Sequence, residues 1–464
     1  MLILGLAGCA RFQPRPVSPA ETAANLETRR LDNPAFRQFL DKNLQRQFTS
    51  WPPKAWDFET LTLAALYYHP SLDVARAQWN VALGGNITAA ARPNPIISAA
   101  PGYAPSATGV TSPWFPAISF DLPVETMGKR GYRKAHAEHL SESARLNIAT
   151  MAWQVRSNLR TSLIDYTATR RREALLQKQL SVQEQIVKSL EQQLQAGAIS
   201  SSELTLVVIS QGKIQLDLAD ARRLSADARV RVADALGISV AALEGVDLNY
   251  ELSTLPPTDS DLTSAEARHQ ALLGRADILG ALADYAASQS ALQLEIAKQY
   301  PDIHLGPAYQ YDLGEHKISL SLTAELPVLN QNQGPIAEAE GRRAEFAARF
   351  YALQAKVLTE IDRALAAYRV TRDNLSALEL LAAAQKKQYE AVEGQLKVGA
   401  ASPLDLLNSQ VEMNVSELVQ LDGRVKLQQA RGALEDALQR PIDSMKSLLI
   451  EQPQRPPALK EKKP

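Results

Sequence analysis

Between Tyr132 and Ala196 the chain contains neither Gly nor Pro, and the same holds from Arg342 to Glu393. No other feature restricts the fold so severely. Gly and Pro are the residues that interrupt helices, so each run is free to form one helix, and about 65 residues at 1.5 Å rise gives a rod of roughly 100 Å. A single globular core does not cover such a rod, whereas coiled-coil packing does. The apolar positions agree: Val187, Leu190 and Leu194 are spaced by three and four residues, and Tyr389, Val392 and Leu396 repeat the spacing. A solvated, charged helix would carry no such repeated stripe.

Both runs end in nearly the same words. Residues 193 to 207 read QLQAGAISSSELTLV, and 202 positions later the chain reads QLKVGAASPLDLLNS. Tyr166 to Arg170 matches Tyr368 to Arg372 at the same offset, and Ala235-Leu236 matches Ala437-Leu438. Towards the start of each half the offset drifts, pairing HPSL at 69 to 72 with RADI at 275 to 278, and DLPV at 121 to 124 with ELPV at 325 to 328. Small loop insertions account for the drift. The chain is therefore an internal duplication, each half reading as helix, two strands, very long helix, break, helix. The opening helices are expected over about 59 to 91 and 265 to 299, each ending near a Pro.

The strands alternate strictly. HKISLSLTAEL sets Ile318, Leu320 and Leu322 against Ser319, Ser321 and Thr323, and AISFDL sets Ile118, Phe120 and Leu122 against Ser119 and Asp121. Their expected partners lie at 94 to 104 and 302 to 312. Runs of about 10 residues match a tilted strand crossing a bilayer, with apolar side chains towards lipid and polar ones towards water. A soluble hairpin would show the same alternation over so few strands. Four strands do not close around water, so a barrel requires several chains.

Composition narrows the function classes. Lys+Arg 50 against Asp+Glu 51 leaves a net charge of −1, which provides no global field for nucleic acid. No stretch reaches 18 apolar residues, and none of the common phosphate-binding, dinucleotide, zinc-protease or serine-hydrolase motifs occurs, so no enzyme, cofactor or metal centre is expected. His136 and His139 form the one close histidine pair, more simply two polar residues on a helix than ligands, and Arg170 to Arg172 reads as a solvated face. The single cysteine, Cys9, excludes an internal disulfide. It ends the apolar stretch MLILGLAGC, which resembles a bacterial lipobox, and the Pro-containing run after it suits a tether. No basic residue precedes it as a signal peptide requires, so the start of translation is expected upstream of Met1.

A lipobox, a duplicated half with two strands ahead of a coiled-coil helix, and a Gly-Ala break in each half together resemble the outer-membrane efflux protein family, whose best-known member is TolC. The resemblance covers residues 59 to 440. PVETMGKR at 123 to 130 is similar to a motif of the heavy-metal efflux branch typified by CzcC and CusC, with one Gly before Lys129-Arg130 where that branch often has two.

The resemblance implies an α+β, mostly α fold: a long coiled-coil α-helical tunnel, with four strands per chain completing a 12-stranded barrel in a homotrimer. It implies 1–9 as a lipoprotein signal remnant lipidated at Cys9, 10–58 as N-terminal tether and equatorial segment, and 59–237 as a first repeat with strands at about 94–124. An equatorial linker at 238–264, a second repeat over 265–440 with strands at about 302–328, and a tail at 441–464 complete the plan. The location it implies is the bacterial outer membrane, lipid-anchored, with a long periplasmic portion. The partners it implies are outer-membrane lipid, a periplasmic adaptor (membrane fusion) protein and an inner-membrane RND transporter, and the role it implies is a passive duct, for heavy-metal cations in that branch. A multidrug or type I secretion channel is the alternative within the fold, and a non-channel coiled-coil scaffold lies outside it. Adaptor contact falls to the turns Ala196, Gly197, Ala198 and Val398, Gly399, Ala400, where Gly leaves the turn free of a side chain. The periplasmic gate falls to Asp405, Asn408 and Glu203; Asn408 departs from a two-Asp pattern. Asp405 also fits a helix start, with Ser402 as cap and Pro403 in the first turn.

Overall fold

The computed structural model describes residues 12–45, 48, 50–105, 112–253, 265–312 and 314–441. Ten helices and four strands run along them. Two short helices, α1 (Pro19–Glu27) and α2 (Pro34–Leu44), precede α3 (Phe58–Tyr68), α4 (Pro70–Ala90), β1 (Ile96–Tyr103), β2 (Trp114–Val124), α5 (Lys129–Gln195) and α6 (Ser201–Leu236). After a one-turn 3-10 helix at Val240–Leu243 the same order recurs. It runs α7 (Ala265–Gly274), α8 (Ala276–Ala297), β3 (Ile303–Asp312), β4 (Glu315–Ala324), α9 (Gln333–Lys397) and α10 (Pro403–Leu438). The long helices contain 67 and 65 residues; each includes its run free of Gly and Pro, and α9 extends past that run through Pro335 in its first turn and Gly341 and Gly394 near its ends.

The opening helix of each half is broken where one continuous helix was expected. His69 adopts an extended conformation (ψ 122°) because the Pro70 ring clashes with a helical residue before it. Arg275 is extended as well (ψ 132°), with no Pro behind it. Its buried guanidinium instead donates to the Ala437 carbonyl at 2.6 Å and to Asp277 at 2.6 and 3.0 Å. At the second break Gly274 ends α7, Asp277 holds Arg275 locally, and the Ala437 carbonyl adds the tertiary contact.

The contacts divide into two units. One draws on the described residues among 1–69, 155–254 and 371–429. At one place in it Phe36 packs among Trp51, Trp56, Tyr67 and Tyr68, and Arg29 ties the carbonyls of Tyr68 (2.5 Å) and Gly237 (3.0 Å). Elsewhere it is coiled coil. Along α10, Leu404, Leu407, Val411, Asn414, Leu418, Leu421 and Val425 recur every three or four residues. They face α5 and α6 in successive clusters, from Ile164 through Leu176 and Leu180 to Val182, Ile186 and Leu190.

The other unit draws on the described residues among 70–154, 255–370 and 430–464 and holds the sheet. Its order is β1-β2-β3-β4, antiparallel throughout, so β2 and β3 join the two halves and β1 and β4 are edges. The register puts Ile118 beside Tyr309, Leu305 beside Leu322 and Pro307 beside Leu320 on one face. The other face pairs His304 with Thr323, Gly306 with Ser321 and Ala308 with Ser319.

Candidate functional site

Three features concentrate chemistry: the two elbows, the sheet faces and the crossings from strand to helix.

Each elbow is built twice over from the same parts. Gly197 (φ 71°) and Gly399 (φ 75°) take the left-handed conformation, which costs a residue with a Cβ about 1–2 kcal/mol. Ala198 N–H reaches the Gln193 carbonyl and Ala400 N–H the Gln395 carbonyl, both at 2.8 Å, while Gly197 and Gly399 donate to Leu194 (2.9 Å) and Leu396 (3.0 Å). These paired bonds satisfy the last carbonyls of α5 and α9. The next helix is then capped. Ser200 Oγ accepts from Glu203 N–H (3.3 Å) and donates to Glu203 Oε1 (2.9 Å). Ser402 Oγ accepts from Asp405 N–H (3.2 Å), and Asp405 Oδ2 accepts from Ser402 N–H and Oγ, both at 2.8 Å. Asp405 is thus the acidic member of a capping box, and the Ser402 donors hold its carboxyl below the usual range. Asn408, one turn on, is exposed, as are Ala196, Gly197, Ala198, Val398, Gly399 and Ala400. The structure brings both elbows onto one apolar cluster: Ile199, Leu204 and Val207 from the first, Leu404, Leu407 and Val411 from the second, all on Val182, Ile186 and Leu190.

The sheet is apolar on one side and polar on the other. Ile318, Leu320 and Leu322 are 71–86% exposed, an arrangement that costs about 25 cal/mol per Å² if it meets water. Sequence alternation showed this much. It did not show the ring contacts in the two hairpins, where Tyr103 and Trp114 lie tilted at 4.9 Å and Tyr309 and Tyr311 lie 5.9 and 5.3 Å from His316. Such rings collect where a membrane meets water. Each pair is brought together across the strands of its own hairpin, by the register of β1 on β2 and of β3 on β4.

The PVETMGKR segment forms a clasp at the crossing from β2 to α5. Lys129 is buried, and its Nζ donates to the Tyr300 carbonyl (2.7 Å) and to Asp302 Oδ1 (2.8 Å). Thr126 adds N–H to Asp302 (3.0 Å) and Oγ1–H to the Pro301 carbonyl (2.6 Å); Arg130 holds the Ala90 carbonyl (2.8 Å), and Arg133 pairs with Glu125. Burial pushes the Asp302 carboxyl up, but Lys129 and Thr126 outweigh it and leave the group below its ordinary value. The charged side chains line a cavity of about 380 Å³. The motif was visible in the sequence; the partners of Thr126 and Lys129, more than 170 residues away, were not.

Of the remaining sequence candidates, His136 Nδ1 sits 2.8 Å from the Ala287 carbonyl. No three His, Cys, Asp or Glu converge on a metal position among the described residues, and none of their helices is long and apolar enough to cross a membrane. Cys9 lies outside the described residues, as do residues 254–264 of the expected linker and the tail after 441.

Residues 267–439 match the family described as outer membrane efflux protein. The chain is 23% identical over 297 residues to the cobalt-zinc-cadmium resistance protein CzcC of Cupriavidus metallidurans, covering 62% of this chain and 69% of CzcC. Among solved structures, the outer membrane protein VceC of Vibrio cholerae superposes with a TM-score of 0.67 at 17% identity, covering 83% of this chain and 97% of VceC. CusC superposes with a TM-score of 0.65 at 17% identity, covering 85% of this chain and 95% of CusC. At these identities the likeness establishes the fold.

Proposed function

From the outer membrane efflux protein domain that this chain carries, we propose that it is the outer-membrane duct of a tripartite RND-type efflux system, assembled as a homotrimer and exporting heavy-metal cations. One observation carries the proposal. A four-stranded sheet with two open edges exposes apolar side chains on one face and Asp121, His304, Ser319, Ser321 and Thr323 on the other. In water both the edges and the apolar face are liabilities. Three copies joined edge to edge into a 12-stranded barrel turn the apolar face to lipid and the polar face to a lumen. The two repeats, 59–237 and 265–440, supply two strands and two coiled-coil helices each. The segments 10–58 and 238–264 form the equatorial belt, and Cys9 carries the lipid.

The exposed Gly-Ala turns supply two adaptor contacts per chain, six in the trimer. Asp405, with Asn408 behind it and Glu203 on the first elbow, forms the periplasmic constriction, where three carboxylates favour cations and repel anions. Capping and gating use the same group without conflict, since a cap engages Oδ2 and a ring of charge acts through space.

The assembly is tested by extracting the full-length protein from outer membranes: an SDS-resistant trimer is expected, and a soluble monomer would end the duct reading. Cargo is tested in a deletion strain, where sensitivity to Zn, Co, Cd, Cu or Ag is expected; unchanged metal tolerance beside hypersensitivity to dyes and antibiotics favours the multidrug alternative. For the gate, Asp405→Ala is expected to raise cation conductance, and identical conductance and selectivity would remove Asp405 from that role.

A further inference from the structure

One layer of the α5–α10 seam is polar. Asn414 occupies the seam position between Val411 and Leu418 and is fully buried, yet neither its Oδ1 nor its Nδ2 has a hydrogen-bond partner. The two helices run antiparallel, and their register is fixed by Arg172 with Asp422 (2.5 and 2.7 Å) and Lys178 with Glu417 (3.3 Å). That register sets Gln179 of α5 level with Asn414. Gln179 is also buried, and its Oε1 is also unpartnered. On the elbow side of this layer lie Leu407 and Val411 against Val182 and Ile186; on the other, Leu418 packs with Leu176 and Leu180, and Leu421 with Ile164.

A desolvated amide without a partner is a penalty that exists only while the seam is packed this way. Any arrangement that lets Asn414 meet water or turn to a new partner recovers it, and the apolar layers on either side lose by the same movement. We propose that the Asn414–Gln179 layer is a built-in yielding point, at which the segment of α10 bearing Asp405 separates from α5. Asp405 lies between this layer and the elbow, so a displacement beginning at Asn414 carries the carboxylate with it. The inference rests on the reading of the chain as a duct, and it assigns Asn414 and Gln179 as positioning residues for its opening.

The test compares the wild-type full-length protein with Asn414→Leu and Gln179→Leu in planar bilayers and in thermal melts. An apolar side chain removes the penalty, so each variant is expected to melt higher, by about 1–3 °C. Time-averaged conductance is expected to fall by about tenfold, because the packed seam is favoured. A higher melting temperature with conductance within twofold of wild type overturns the proposal and leaves the layer a register device alone. A lower melting temperature, or failure of both variants to assemble, overturns the premise that the packed layer carries a penalty. If the wild-type protein does not conduct, the duct reading falls and this inference falls with it.

Discussion

The two crossings from strand to helix occupy equivalent places in the two halves and are secured differently. Between β2 and α5, Lys129, Thr126, Arg130 and Arg133 bind the chain ends on either side, and a buried ammonium sits on a carboxylate. Between β4 and α9, Asn332 (φ 63°) bonds the Glu295 carbonyl and carboxylate at 2.8 and 3.0 Å. Leu326, Val328 and Leu329 nearby stay 74–98% exposed. The elbows, by contrast, are near copies in turn, cap and burial. A duplicated chain therefore keeps the geometry that reverses a helix, which local backbone chemistry dictates, while its crossings diverge because each answers to different neighbours. The first crossing is the fixed one, and α5 enters its coiled coil already anchored.

That comparison breaks most directly at Lys129. Replacing Lys129 with Met removes the ammonium from the Tyr300 carbonyl and leaves Asp302 with only the Thr126 N–H, and a loss of about 2–4 kcal/mol is expected. Asn332→Ala at the other crossing is expected to cost about 1 kcal/mol. Urea-denaturation midpoints of the two variants measure the difference, and equal losses would erase the distinction between a clasped and a lightly held crossing.

The likeness of the elbows predicts a smaller and matched pair of effects. Gly197→Ala and Gly399→Ala each force a Cβ into the left-handed region at about 1–2 kcal/mol. Amide exchange around both turns should rise together, and a response confined to one elbow would show that tertiary support differs between them.

The smallest effect separates the elbows by pH. The Asp405 carboxyl is held below its ordinary value by Ser402, so its capping contribution is present above the usual carboxylate pKa and fades as pH falls through the lowered one. Exchange at residues 403–408 is expected to accelerate below about pH 4, and Asp405→Asn should remove that acid dependence. Ser402→Ala costs about 1 kcal/mol at neutral pH by removing the cap outright. An acid-insensitive second elbow in the wild-type protein would take the ionised cap away from Asp405.

Legibility followed the range of the interaction. Helix lengths, the Gly turns and the Ser402-Pro403 start were readable because each is decided within a few residues of itself. The face alternation of β2 and β4 was readable for the same reason. The break at His69 is written in Pro70; the break at Arg275 has a local mark in Gly274, but the Ala437 carbonyl that receives the guanidinium lies 162 residues away.

By itself, the sequence determined a duplicated chain with two very long helices, two Gly-centred elbows and four short strands, two of them strictly alternating, since periodicity and backbone freedom act along the chain. The tertiary structure decided which strands are edges, that Lys129 finds Asp302, that the rings of Tyr103, Trp114, Tyr309 and Tyr311 make their contacts in the two hairpins, and that Asn414 is buried without a partner. The ring contacts depend on the register within each hairpin, and the others on contacts between segments distant along the chain, which local periodicity does not encode.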